Sequence, residues 1–269
     1  MTVRRLTNAD RAPVQALLNE APAQNLYLLG NLETLGFEHE LCEFWGDWGA
    51  RGQLRAVLNR YMTGWSCYGH AGADWPALAR VMDDHPEVER LQDNPGGIPS
   101  LLPYLHVYRA TQVHVEELMA LDAAAFIPQP APAGIHIRRA TEADLPALIA
   151  FYADAGHMTR RAAAVARPLR DTRLWLAQEA GIIVAAALTN AETAYLAMIG
   201  GVYTPPAQRG RGLSQAVCSA LCADLLAAQK QPVLYWDTPA AGAVYRKLGF
   251  HAVGEWRSIW LEKGSKIEE

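Results

Sequence analysis

Leu213, Val217, Leu221 and Leu225 recur every fourth residue, which predicts a helix over 210–229 with one apolar stripe. Ahead of it, short apolar runs at 174–178, 182–188 and 195–203 are separated by Glu179-Ala180-Gly181 and Thr189-Asn190-Ala191-Glu192. That spacing predicts adjacent antiparallel strands joined by short turns. A strand over 233–236, a helix over 239–248 and a closing strand pair within 251–261 complete the second half. It opens with a strand over 136–139 and helical stretches over 142–155 and 159–169. The first half follows the plan more loosely, with strands over 44–48, 54–61, 65–68 and 106–115 and helices over 12–18, 22–35 and 74–84. The fold class is α+β, a mixed, mainly antiparallel sheet flanked by helices.

The chain repeats its opening. Val3-Arg4-Arg5-Leu6-Thr7-Asn8-Ala9-Asp10 matches Ile137-Arg138-Arg139-Ala140-Thr141-Glu142-Ala143-Asp144, 134 residues later. In both copies a strand leads to a threonine placed as an N-cap and then to an apolar helix. Between the copies, Ile127-Pro128-Gln129-Pro130-Ala131-Pro132-Ala133-Gly134 is too rich in proline to continue a helix or central strand. The expectation is two tandem domains, 1–126 and 135–269, joined by an extended linker at 127–134.

Composition narrows the function classes. Hydrophobic residues are 51% and charged residues 19%, enough to bury real cores and too apolar for disorder. No apolar run reaches the roughly 18 residues of a membrane span. The first ten residues lack the apolar core of a signal peptide, so a cytoplasmic protein is expected. Cys42, Cys67, Cys218 and Cys222 show no metal-ligand spacing, and buried reduced thiols with no metal are expected. Net charge is −7 over residues 1–134 and +3 over 135–269. An anionic ligand therefore favours the second half, and neither half is basic enough for nucleic acid.

The chemistry centres on Gly201-Val202-Tyr203-Thr204-Pro205-Pro206-Ala207-Gln208-Arg209-Gly210-Arg211-Gly212-Leu213-Ser214. It reads as a strand, a glycine-arginine loop and the start of a helix. Gly210 and Gly212 can take positive φ and leave no side chain above the loop. Amides from Arg209 to Ser214 then converge at a positive helix end, a geometry suited to a pyrophosphate. A second segment, Ala243-Val244-Tyr245-Arg246-Lys247-Leu248-Gly249-Phe250, follows about thirty residues on.

Together the two segments resemble the acetyl-CoA-dependent N-acyltransferases of the GNAT superfamily, whose loop runs Gln/Arg-x-x-Gly-x-Gly/Ala. Arg209, Gly212 and Ser214 hold its fixed positions here, with serine a minor departure. The resemblance covers 136–261 well and 3–120 only by plan, which implies two GNAT-like domains with a degenerate first copy. There, Gly69-His70-Ala71-Gly72-Ala73-Asp74 replaces the loop, lacks arginine and sets Asp74 against any phosphate. The resemblance implies acetyl-CoA or another acyl-coenzyme A as cofactor. Gly201, Val202, Tyr203 and Thr204 would pair with its pantetheine arm, and Arg209, Gly210, Arg211, Gly212, Leu213 and Ser214 would hold its diphosphate. Tyr245 falls where the family places a tyrosine near the sulfur, as hydrogen-bond donor or general acid. Thr238 stands where relatives often carry asparagine, which puts one coenzyme A contact in doubt. A main-chain N–H near Val202 is the oxyanion donor by the same resemblance.

The general base stays open among Glu192, His157 and Asp237, since the loop strand carries no glutamate. The implied acceptor is a primary amine of a small molecule or peptide, and tandem enzymes resembling mycothiol synthase favour a small polar one. A Fem-type transferase would need a basic RNA track that the charge does not supply. A non-catalytic acyl-CoA-binding protein is the remaining alternative, and monomer and homodimer are both left open.

Overall fold

The computed structural model describes residues 3–93 and 101–264. In chain order the elements are β1 (Val3–Arg5), α1 (Arg11–Leu18), α2 (Leu26–Thr34), β2 (Cys42–Trp48), β3 (Leu54–Tyr61), β4 (Gly64–Gly69), α3 (Trp75–Asp83), β5 (Arg90–Asp93) and β6 (Tyr108–Ala120). Then come β7 (Ile135–Arg139), α4 (Leu145–Ala153), α5 (Ala162–Asp171), β8 (Leu174–Glu179), β9 (Ile182–Glu192), β10 (Leu196–Tyr203), α6 (Leu213–Ala227), β11 (Gln231–Trp236), α7 (Pro239–Lys247) and β12 (His251–Lys263).

The chain forms two compact units, one of Met1–Leu118 with Val253–Glu269 and one of Met119–Ala252. These bounds differ from the expected ones at the C-terminus and at the first boundary, since the second unit begins at Met119. The closing strand pair is one long strand, β12, and its residues Arg257–Trp260 pair antiparallel with Asp93–Arg90 of the first unit. Ile259 and Leu261 accordingly lie in that unit's core, beside Leu58, Trp65 and Leu78. The proline-rich stretch forms no helix or strand, and two of its amides are anchored in the second unit. Ile127 N–H donates to Leu248 O at 3.0 Å and Gln129 N–H to Ser219 Oγ at 2.8 Å.

In the first unit β1 to β4 are antiparallel neighbours and β4 runs parallel to β5. Leu17, Leu18, Leu28, Leu29 and Leu32 of α1 and α2 cover Phe44 and Val57, while α3 packs its Trp75, Leu78 and Met82 in a second core. The second unit has the same local order. Its β7 to β10 are antiparallel and β10 runs parallel to β11.

Strand β9 shows why the second unit is layered. Ala185 and Ala187 belong to the core under α6, whereas Ala186 and Leu188 belong to the core under α4 and α5. Alternating residues thus point to opposite faces, and both faces are buried. Alanines on the α6 side let that helix press its Leu213, Val217, Leu221 and Leu225 stripe close to the sheet. The stretch Thr189–Glu192, expected as a turn, is the end of β9 instead. Its backbone continues the ladder because Met198 and Ala197 pair with Ala191 and Glu192.

Both copies of the repeated opening fold alike. Arg4 grips Asp10 through two hydrogen bonds of 2.7 and 2.9 Å, and Arg138 grips Asp144 through two of 2.6 and 2.8 Å. Each aspartate also accepts from the amide of the threonine three residues earlier, closing a capping box.

Candidate active site

Strand β10 leaves regular pairing just where the chemistry is expected. Gly200 lies opposite Leu188 and Tyr203 opposite Ala186, so β10 holds one residue too many and bulges. Gly201 sits in the bulge at φ +57°. A Cβ there would lie 2.9 Å from Leu188 Cγ and 3.0 Å from Arg160 Nε, so both conformation and space demand glycine. From α4, the buried Tyr152 hydroxyl donates to Gly201 O at 2.6 Å. Desolvation pushes this phenol up, so it remains a protonated donor.

On its other side, β10 pairs with β11 only through Leu196–Met198 against Gln231–Val233. Both strands continue past that ladder, to Tyr203 and Trp236. Gly201, Val202 and Tyr203 therefore lie beyond the paired part, at the opening between two parallel strands. Thr204 follows directly, and its Oγ1 is buried without a hydrogen-bond partner.

Past Pro205, residues Pro206–Gln208 make a single 3-10 turn. Gly210 and Gly212 take φ of +78° and +75°, and Gly212 is the left-handed N-cap of α6. The helix consequently starts at Leu213, three residues later than its apolar pattern implies. Gly212 supplies no side-chain cap to the first-turn amides. A Cβ on either glycine would meet nothing within 4 Å, so the loop is open above its backbone. Leu213 is buried in the core and offers only its amide, while Ser214 is half-buried beside it. The matching junction in the first unit is closed. Asp74 caps α3 by accepting from Ala77 N–H at 3.1 Å, so a carboxylate already holds that helix end.

The two loop arginines are not equivalent. Arg209 is exposed and donates from Nε to Thr204 O at 3.1 Å. Arg211 is committed to Glu179 of β8 through bonds of 2.6 and 2.9 Å, and also donates to Gln208. The hydrogen bond from Arg211 lowers the Glu179 carboxyl pKa. The Arg209 amide is taken by Pro206 O at 3.3 Å, so the amides from Gly210 onward and the Arg209 side chain are the groups directly available to an anion, and the uncapped helix start with its open glycines fits a diphosphate.

Tyr245 of α7 lies in the core with Cys218, Cys222, Leu248 and Phe250, its ring 5.9 Å from that of Phe250. Burial first, then the neighbouring thiols, push its phenol well above its ordinary value. Thr238 is the exposed N-cap residue of α7 and makes no side-chain cap bond.

The candidate bases fare unevenly. Glu192 lies opposite Ala197, at the end of β10 away from the bulge. It accepts from Thr189 Oγ1 at 2.9 Å and pairs with Arg173 and with Lys230 at 3.2 Å. Its charge is spent in a buried structural network, which removes it as a base. Asp237 is exposed just after β11. The side chain of His157 lies outside the described residues.

Two side chains at the bulge escaped sequence reasoning. Tyr152 reads as one more apolar residue of a helix, and Arg160 as a charge at the start of the next expected helix, over 159–169. No local pattern announces a hydroxyl aimed at a carbonyl 49 residues away.

Residues 180–261, from β9 through most of β12, match the model of the FR47-like protein family. No curated protein matches the chain significantly in sequence. Among solved structures, the chain is similar to a GCN5-related N-acetyltransferase from Sphaerobacter thermophilus, with 20% identity, coverage of 97% of this chain and 95% of that one, and a TM-score of 0.65. A Drosophila protein aligns at 12% identity over 97% and 98% of the two chains, with a TM-score of 0.71. A tandem GNAT protein from the clavulanic acid biosynthesis pathway aligns at 14% identity over 97% and 98%, with a TM-score of 0.62. At these identities the likeness is one of fold. The FR47-like match spans β9 through most of β12, and the GCN5-related and tandem GNAT neighbours share the fold of the chain.

Proposed function

We propose that this chain transfers an acetyl or similar acyl group from acetyl-CoA to a primary amine of a small-molecule or peptide acceptor. One observation carries the reading. The bulged, half-unpaired β10 runs straight into an uncapped helix start framed by two left-handed glycines. A strand opening able to accept a peptide-like arm thereby adjoins a cradle for a diphosphate.

Acetyl-CoA would supply the activated thioester. Amides from Gly210 to Ser214, with the Arg209 side chain, would hold its diphosphate, and Gly201–Thr204 its pantetheine arm. A main-chain N–H near Val202 would face the carbonyl oxygen as charge develops there. Tyr245 holds its proton on Oη and would donate a hydrogen bond to the departing sulfur. A thiol has a reference pKa of about 8.5, below that of an ordinary phenol at about 10. Burial widens the gap, so Tyr245 serves better as a donor than as a full proton source. The first unit, with its α3 terminus capped by Asp74, would not take part in cofactor binding.

Titration calorimetry with acetyl-CoA, followed by transfer assays on a panel of amines, tests this reading. Binding with acetyl transfer to at least one amine supports it, and no detectable heat rejects it. A second reading, an acyl-CoA-binding protein without turnover, is favoured by the engagement of Glu192 in its ion network. Binding without transfer or hydrolysis would select it.

A further inference from the structure

The strongest unexplained group in the second unit is Arg160, in the connection from α4 to α5. Its guanidinium lies against the β10 bulge, with Nε 3.0 Å from the place a Gly201 Cβ would occupy. It stands 5.9 Å from the Tyr152 ring centroid. Nη2 donates to Asn190 Oδ1 at 3.2 Å, and Nε is buried without a hydrogen-bond partner. Among the described residues no carboxylate lies within ion-pairing distance of it. Arg138, Arg173 and Arg211 of the same unit, by contrast, each meet an acid. A second cation converges on the same place, because Arg167 donates to the Asn190 carbonyl. Asn190 in turn packs over Gly200, beside the bulge.

A half-buried cation with an unfilled donor is costly unless an anion completes it. Among the described residues none does so here. We infer that Arg160 is the anchor for a carboxylate of the acceptor, so that the acceptors are amino acids or similar amines bearing a free carboxylate. The inference rests on the acyl-transfer reading for the amine, and on Arg160 itself for the carboxylate. An arginine fork matches a planar carboxylate and leaves the substrate's amine free to approach the bulge.

Two measurements test it. The first needs no cofactor. The side-chain Nε–H resonance of Arg160, assigned by its loss in Arg160→Gln, is followed by NMR during titration with acetate and N-acetylglycine. A saturable shift absent with equal chloride is expected. No shift, or tighter response to inorganic pyrophosphate than to carboxylates, overturns the inference. The second compares free amino acids with their carboxamides as acceptors. A preference for the free acid of roughly tenfold in kcat/KM is expected. Arg160→Gln should reduce it to about twofold through KM, and Arg160→Lys should restore part of it. Equal use of acid and amide by the unaltered enzyme overturns the inference. Failure to bind acetyl-CoA by calorimetry would remove the acyl-transfer reading alone, and the resonance titration would still decide the carboxylate site.

Discussion

The hydroxyl of Tyr152 donates to the carbonyl oxygen of Gly201 across 2.6 Å, wholly inside the second unit. The bond joins α4 to the bulge of β10 and fixes the direction of the backbone groups that follow. Replacing Tyr152 by Phe leaves the Gly201 carbonyl buried and unpaired, at a cost of about 1–3 kcal/mol. Urea unfolding should show that loss as a lower midpoint at unchanged slope. Transfer activity should fall as well, because the bulge loses its tether. Stability equal to the unaltered protein would show that the bond is not holding the strand.

The glycines of the site separate space from conformation. Gly201→Ala meets Leu188 and Arg160 and must also hold a positive φ, so it should destabilise by more than about 1–2 kcal/mol. Gly212→Ala meets nothing and incurs only the conformational cost, about 1 kcal/mol. Thermal unfolding should rank the two in that order. Calorimetry should nevertheless show weakened acetyl-CoA binding for Gly212→Ala, since a methyl would stand above the loop. Unchanged affinity would argue that the loop is not the diphosphate cradle.

Much of this arrangement is written in short-range pattern. The α6 stripe, the apolar run of β9 and the left-handed pair Gly210 and Gly212 each need only a few neighbouring residues to be read. The misreadings have a common physical source. Thr189-Asn190-Ala191-Glu192 has turn-like composition, but its backbone bonds to β10 and its side chains to Arg173 and Lys230 keep it a strand. The same long-range network turned Glu192 from a candidate base into a structural acid. The destination of β12 was equally hidden, because partner choice between strands is not encoded within a strand. Arg211 looked like a phosphate ligand by position, and only the fold brings Glu179 to it.

That last pair yields a discriminating test. If Glu179 holds Arg211 away from the loop, Glu179→Gln should tighten acetyl-CoA binding a few-fold and steepen its dependence on salt. Arg209→Ala should weaken binding more than Arg211→Ala does. Calorimetry at two ionic strengths reads both effects. Weaker binding in Glu179→Gln would mean that the ion pair shapes the loop rather than competing for it.

The paired capping boxes predict acid sensitivity. The Arg4 hydrogen bonds hold the Asp10 carboxyl at about 2, below its ordinary 3.8, and Arg138 depresses Asp144 in the same way. A lowered folded-state pKa contributes stability above the unfolded value, and that stability is lost as pH falls through the folded value. Unfolding measured between pH 6 and pH 2 should therefore show a decline beginning near pH 4 for Asp10. Asp10→Asn should lower stability at pH 6 and flatten that decline. An unaltered slope would show that the box does not couple protonation to folding.

Tyr245 offers the sharpest test of mechanism, because its position allows two outcomes. Its ring belongs to the core with Cys218 and Cys222, so removing only the hydroxyl leaves the packing intact. Tyr245→Phe should fold normally and bind acetyl-CoA with nearly unchanged affinity. Turnover should fall by about ten- to a hundredfold if the hydroxyl supports the leaving sulfur, the scale of one hydrogen bond to a developing charge. The pH profile sharpens the assignment. A buried phenol with a raised pKa keeps its proton, so no ionisation of Tyr245 should limit the alkaline side of the unaltered enzyme. If the alkaline limb near pH 9–10 disappears in Tyr245→Phe, the tyrosine must ionise during turnover, and its role as a permanently protonated donor is wrong. If turnover is unchanged, the hydroxyl has no part in the chemistry and the residue is a core side chain only.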